Sequence, residues 1–328
     1  MRPASDSDGL PVGAALGLEH VVFPVRDLSD ASETFQQDLG FAVTPGTPHA
    51  SGTIDNSVIF ANEGYIELLG IHDPLSKAPI VEEVKTILSK REGPVTVGVR
   101  VASVSASVEY FKARGCEVRG PNESRFPDPE TGQLSPPLYS NLEIVGDRPY
   151  VRDQIFFLEK LEKNFQEYHT TNARAAAYLR SWVTVHPNTA RRIGAAWLAV
   201  DDVEKAATAY ADIGLKARPV RPASVPGVDV AAIRLGTGSL LLAQPRASSS
   251  PFSDVLSDGG GAAAMVGISI EVASIEDAAS SLGPDVRRSA RYDGWFGRSF
   301  QVLPDQAHGA WLEFYEAARP ARPETGTP

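Results

Sequence analysis

Apolar runs with the two-residue period of a β-strand alternate along this chain with stretches whose apolar positions recur every three or four residues. The run LEHVVFPVRDL at 18–28 reads as a strand, broken at Arg26-Asp27. SDASETFQQDLG then reads as a helix with Ala31, Phe35 and Leu39 on one face. FAVTPG, TIDNSVIFAN and GYIELLGI follow as three short strands separated by Gly, Pro and Asn turns, giving a βαβββ unit. The unit recurs at PVTVGVRVASV, SASVEYFKARG, CEVRGP and DQIFFLEK, aligned by placing Phe35 on Phe111 and Glu67 on Glu159. A third copy runs from RIGAAWLAVDDV through GSLLLAQ, and a fourth from AMVGISIEVASI through GAWLEFYE.

A single unit leaves a sheet face and edges uncovered, and pairing two units closes most of that surface. The expected fold is α+β, with four βαβββ modules in two pseudo-symmetric halves, 17–160 and 191–317. A partly helical connector at 161–190 joins them, and disordered segments are expected at 1–16 and in the Pro-rich stretch 318–328.

Composition narrows the function classes. The 328 residues are 42% hydrophobic and carry a net charge of −10 with scattered Lys and Arg, which argues against a nucleic-acid surface. One cysteine, Cys116, excludes an intrachain disulfide and a structural thiolate zinc site, and is read as a buried small apolar residue. No apolar run approaches the roughly 18 residues of a membrane span, so a soluble, cytoplasmic protein with a small-molecule substrate is expected. Exposed sheet edges allow a homodimer.

LEHVVFPV at 18–25, TPGTPHASGTIDNSVIF at 44–60, GYIELLG at 64–70 and HPNTARRIGAAWLAVDD at 186–202 together resemble the vicinal oxygen chelate superfamily, and within it the glyoxalase-like domain group. The resemblance implies paired βαβββ units forming a cupped sheet that holds a substrate or a divalent metal, with ligands on the first and last strands of a module. It places His20 and Glu67 at those positions in module one. In module two it places Glu159 and, where another ligand belongs, Thr96. His49 is the substitute, as fourth ligand or as general acid/base, with Asn56 following as a substrate contact.

The implied site is therefore metal-binding at His20, Glu67, Glu159 and His49 and catalytic at His49 and Glu67, with Zn, Mn, Fe, Co and Ni not distinguished. Plain alternatives stand beside each residue. His20 has the alternative of a satisfied structural histidine, Glu159 of part of a charged helix, and His49 of an exposed loop residue.

Copies three and four carry Ala195 and Gly267 at the His20 position and Leu242 and Glu313 at the Glu67 position, so the second half reads as a degenerate partner. Glu313 and His308 are given turn and surface roles, His72 a turn, His186 a packing or hinge role, and Tyr292, Trp295 and Phe296 a pocket cover or core filling. The leading function is a metal-dependent isomerase, lyase or hydrolase acting through an enediolate or related oxyanion. The alternatives are a non-haem Fe(II) extradiol-type dioxygenase and a metal-free small-molecule-binding resistance protein.

Overall fold

The Arg26-Asp27 break is a helix start. In the computed structural model, which describes residues 15–126, 131–220, 227–247, 251–259 and 261–317, the Asp27 carboxylate accepts from the backbone N–H groups of Ser29 and Asp30. It thereby satisfies two of the free donors of the first turn. The segments expected at 1–16 and 318–328 lie, from residues 1 to 14 and 318 onward, outside the described residues.

Module one comprises β1 (Gly17–Pro24), α1 (Leu28–Glu33), β2 (Thr44–Pro48), β3 (Thr53–Ile59) and β4 (Tyr65–Ile71). After α2 (Pro79–Leu88) come β5 (Thr96–Arg100), α3 (Val104–Lys112), β6 (Glu117–Ser124), β7 (Tyr139–Val145) and β8 (Ile155–Lys160). The connector folds as α4 (Glu162–Thr171) and α5 (Ala173–Ser181). Module three is β9 (Ala190–Val200), α6 (Val203–Asp212), β10 (Ala217–Pro219), β11 (Val228–Leu235) and β12 (Gly238–Pro245). Then follow α7 (Pro251–Gly259), β13 (Ala263–Val272), α8 (Ile275–Ser280), β14 (Tyr292–Asp293), β15 (Gly297–Val302) and β16 (Trp311–Ala317).

The four modules pair as expected into two eight-stranded curled sheets. The strand orders are β2-β3-β4-β1-β5-β8-β7-β6 and β10-β11-β12-β9-β13-β16-β15-β14. Within a module the first and last strands run parallel, and the two modules of a half join through an antiparallel pair, β1 with β5 and β9 with β13. The helices α2 and α7 were not expected from the sequence. They sit in the links between paired modules and both bear on the cups.

One apolar core runs through both halves, because the faces carrying the module helices turn toward each other. Phe41 stacks on Phe314 with ring centroids 5.9 Å apart, and Asn188 donates to Leu39 O at 2.8 Å. The second half fills its own cup: Trp197 and Trp311 line it, and Phe252 of α7 packs between them at 6.3 and 5.2 Å.

Leu242 belongs to the shared core rather than to this cup, so it does not occupy the Glu67 place. Glu313 is not a turn or surface residue either. It is fully buried on β16, accepting from Ser269 Oγ at 2.5 Å and Tyr292 OH at 2.8 Å. His308 does lie in a turn, yet its ring is nearly buried against the first half, with Nδ1 3.2 Å from Glu92 and Nε2 3.1 Å from Thr34 Oγ1.

Candidate active site

The cup of the first half is open, with a cavity of about 550 Å³. His20 reaches its floor from β1, Glu67 from β4 and Asp55 from β3, three strands adjacent in the sheet. Alternation alone would send Glu19 to the opposite face. The β1–β5 register shifts between Leu18 and His20, a bulge that turns Glu19 and His20 to the same side. Sequence reasoning missed Glu19. The available signal was a carboxylate inside an otherwise apolar strand, which is costly to bury without a partner.

That partner is His20. Its Nδ1 pairs with Glu19 Oε2, and Arg100 lies 3.8 Å from the other Glu19 oxygen. The imidazole stacks on Tyr65 with centroids 4.5 Å apart and meets the Phe156 edge at 5.1 Å. The ring is thereby fixed with Nε2 directed at Glu67 Oε2, 3.7 Å away and too far for a hydrogen bond. Burial pulls the His20 pKa down, but the Glu19 carboxylate outweighs it and the net shift is upward. Burial raises the Glu67 pKa despite the opposing charge of His20.

His49 sits in the turn of the β2–β3 hairpin, where Gly52 N–H donates to His49 O at 3.0 Å. Gly52 holds a positive φ of 100°, and a Cβ there would strike Ser76, so glycine is required. The His49 ring contributes Nε2 to Asp55 Oδ1 at 3.1 Å and Nδ1 to Thr53 Oγ1 at 2.8 Å. The Asp55 hydrogen bond comes first among the causes that raise its pKa, ahead of the opposing effect of burial. Ser57 Oγ donates to the second Asp55 oxygen at 3.0 Å. Two carboxylate–imidazole pairs, Glu19–His20 and Asp55–His49, thus face one cavity with Glu67.

Two expected residues lie elsewhere. Glu159 turns its carboxylate to the start of α3, accepting from Val104 N–H at 2.8 Å, while its neighbours Phe156 and Leu158 face the cup. The alignment of Glu67 on Glu159 was one residue out of step, and on a strand that slip reverses the face. Asn56 likewise looks away from the cup, accepting from Gly46 N–H and donating to Ser32 Oγ at 2.8 Å. Replacing Glu159 by alanine is expected to cost about 1 kcal/mol of stability, the scale of a lost helix-start partner. Urea unfolding should show that loss while turnover stays at the wild-type rate.

The expected metal set fails on its donors. His20 is paired across β1–β5 with Gly98, where even a Cβ would fall 2.8 Å from the Phe156 ring, so module two offers no ligand opposite it. Both His49 nitrogens are taken by Asp55 and Thr53, and Glu159 is on the other face. Among the described residues no three His, Cys, Asp or Glu side chains converge to hold a metal ion. The residues present do not fit a resident divalent ion.

The connector supplies the roof. Phe165, Tyr168 and His169 of α4, Tyr178 of α5 and Trp182 just beyond it close over the cavity. Lys160 ties this roof down, reaching Glu63 at 2.9 Å with its ammonium 4.0 Å over the Phe165 ring. His186 is buried, as packing was expected to make it. It accepts from Ala42 N–H at Nδ1 and donates from Nε2 to Ile59 O, and burial lowers its pKa to about 4. Cys116 is buried and its pKa is raised by burial.

The sequence profile of the glyoxalase-like domain matches residues 18–214, which takes in the whole cup, its roof and the start of the second half. The chain belongs to the glyoxalase-like domain family. Its paired modules have the vicinal oxygen chelate fold. A hypothetical protein from Staphylococcus aureus superposes with a TM-score of 0.58 at 13% identity, over 92% of this chain and 98% of that one. A xylose isomerase-like TIM barrel/4-hydroxyphenylpyruvate dioxygenase fusion protein superposes at 0.55 and 15% identity, over 99% of this chain and 53% of that one. Methylmalonyl-CoA epimerase from Mycobacterium tuberculosis matches 40% of this chain and 91% of its own, at 19% identity and a TM-score of 0.34. No curated protein matches the sequence. Among the described residues of this glyoxalase-like protein, no helix is long and apolar enough to cross a membrane.

Proposed function

We propose that the cup of the first half is the active site of an enzyme that moves a proton at a carbon beside a carbonyl, on a small uncharged oxygenated substrate. The observation that carries this reading is the Glu19–His20 pair, which fixes an imidazole with its free nitrogen turned into the cavity and toward Glu67. An imidazole acid needs an orienting carboxylate on its other nitrogen and a base within reach of the same substrate, and these three residues have that arrangement.

Glu67 takes the proton from carbon. The C–H electron pair becomes the carbon–carbon double bond, and the carbonyl π pair moves to oxygen, which takes a proton from His20 Nε2. The carboxylates around His20, Glu19 first among them, raise its pKa and so favour the charged imidazole, the form that can give this proton. Where that carbon carries a hydroxyl, the double-bond pair takes a proton onto the former carbonyl carbon while the hydroxyl gives up its proton and becomes the new carbonyl, which completes an isomerisation. His49, backed by Asp55 at the hairpin, is a second proton carrier on the cavity wall. On the floor the carboxylates of Glu19, Asp55 and Glu67 are matched by the two imidazoles and Arg100, which suits an uncharged substrate.

The test is exchange. In D2O, a panel of α-hydroxyketones and α-hydroxyaldehydes, hydroxyacetone among them, should lose the proton signal of the carbon next to the carbonyl at an enzyme-dependent rate. Proton NMR reads it directly. Exchange no faster than in buffer across the panel overturns the reading.

A further inference from the structure

The trough of the cup does not end at the Glu67–His49 line. His49 and Glu67 also border a second cavity of about 270 Å³, on the far side from the aromatic roof. Its floor continues the same strand faces one step further: Val22 follows His20 on β1 and Leu69 follows Glu67 on β4, each two residues on. Val95 adds to the floor, and α2 covers it.

The helix presents Ile80, Val84 and Ile87 at i, i+4 and i+7, one face of a helix. Val84 in the middle of the stripe is buried, while Ile80 and Ile87 to either side of it remain partly exposed over the floor. Apolar walls separated by open space forfeit the contacts that would otherwise stabilise them. The volume corresponds to about nine water-sized groups at roughly 30 Å³ each.

We propose that this chamber under α2 is a subsite for a short aliphatic arm of the substrate, whose carbonyl carbon lies at the dividing residues Glu67, His49 and His20. The proposal rests on the proton-transfer reading for where the polar end lies. The substrate class is then an uncharged hydroxycarbonyl compound carrying an alkyl chain on the order of six carbons, the number the chamber holds once packing gaps are allowed. The arm lies along β1 and β4, and apart from the dividing residues Glu67 and His49 the chamber walls come from residues that take no part in proton transfer. Of the charged groups at this chamber, Glu83 of α2 is exposed to solvent and leaves the aliphatic walls uncharged.

The experiment is a chain-length series. Hydroxyacetone, 1-hydroxy-2-butanone, 1-hydroxy-2-hexanone and 1-hydroxy-2-octanone are titrated into the full-length protein by calorimetry, and the same samples are followed for deuterium exchange. Affinity should rise about fourfold per added methylene, the factor that burial of one CH2 group gives, and level off once the chamber is full. In Ile80→Trp, on the partly exposed end of the stripe, the ratio of octanone to hydroxyacetone affinity should fall at least tenfold. The ratio is taken within each protein, so a general loss of folded material does not mimic the result, and Ile87→Trp repeats the measurement at the other end of the stripe. A flat series, or the same ratio in wild type and both variants, overturns the subsite. A chain-length gain without any deuterium exchange leaves the subsite standing and overturns the proton-transfer reading instead.

Discussion

His20→Gln is expected to lower the rate of deuterium exchange by about 10²- to 10⁴-fold, the range spanned by loss of a positioned acid or base. Glutamine keeps most of the volume against Tyr65 and Phe156 and offers no acidic proton at the Nε2 position. Glu67→Gln should fall in the same range. The double variant should lose little more than either single one, because two residues that share one proton act as a unit. Glu19→Gln should be milder in rate but should shift the pH profile, since the carboxylate that raises the His20 pKa is gone while the ring remains.

The pH dependence has a definite sign. The pair works with one proton between its two members, so activity falls at low pH when both are protonated and at high pH when both are bare. Burial of Glu67 places the acid limb above the ordinary carboxylate range, and Glu19 places the alkaline limb above that of free imidazole. Glu67→Gln should flatten the acid limb. A change smaller than threefold in both His20→Gln and Glu67→Gln would remove these residues from the chemistry.

The second large effect concerns stability. His186 is buried between Ala42 and Ile59, with a pKa lowered to about 4 by burial. In the unfolded chain an imidazole titrates near 6.5. The unfolded state therefore binds a proton first as pH falls, and the stability present above about pH 6.5 is lost on the way down toward pH 4. Two and a half pKa units correspond to about 3 kcal/mol. Urea unfolding of His186→Gln, compared with wild type at pH 7 and pH 4, should show a loss on acidification smaller by about that amount. Parallel pH dependence in the two proteins would assign the acid sensitivity to other groups. The location matters because His186 pins the stretch after the α4–α5 roof to module one, stacking edge-on against Phe41 and Phe60.

Some features were legible because they are local. Two-residue alternation, the Gly and Pro turns and the break at Arg26-Asp27 are written in neighbouring positions, so the four modules could be counted from the chain alone. The family resemblance marked His20 and Glu67, polar residues in apolar strands.

What the sequence did not carry depends on pairing across the sheet. Whether Leu158 or Glu159 faces the cup is a one-residue matter of register, decided by the β5–β8 pairing and by the N-terminus of α3 that takes up the Glu159 carboxylate. The bulge that brings Glu19 beside His20 belongs to the β1–β5 ladder and leaves no mark in the residues around it. Which cup stays open was decided at longer range still, by Trp197, Trp311 and Phe252 filling one while α4 and α5 span the other. Alternation is enforced by each residue's own backbone geometry, whereas facing, register and filling are settled by competition among distant side chains for the same space.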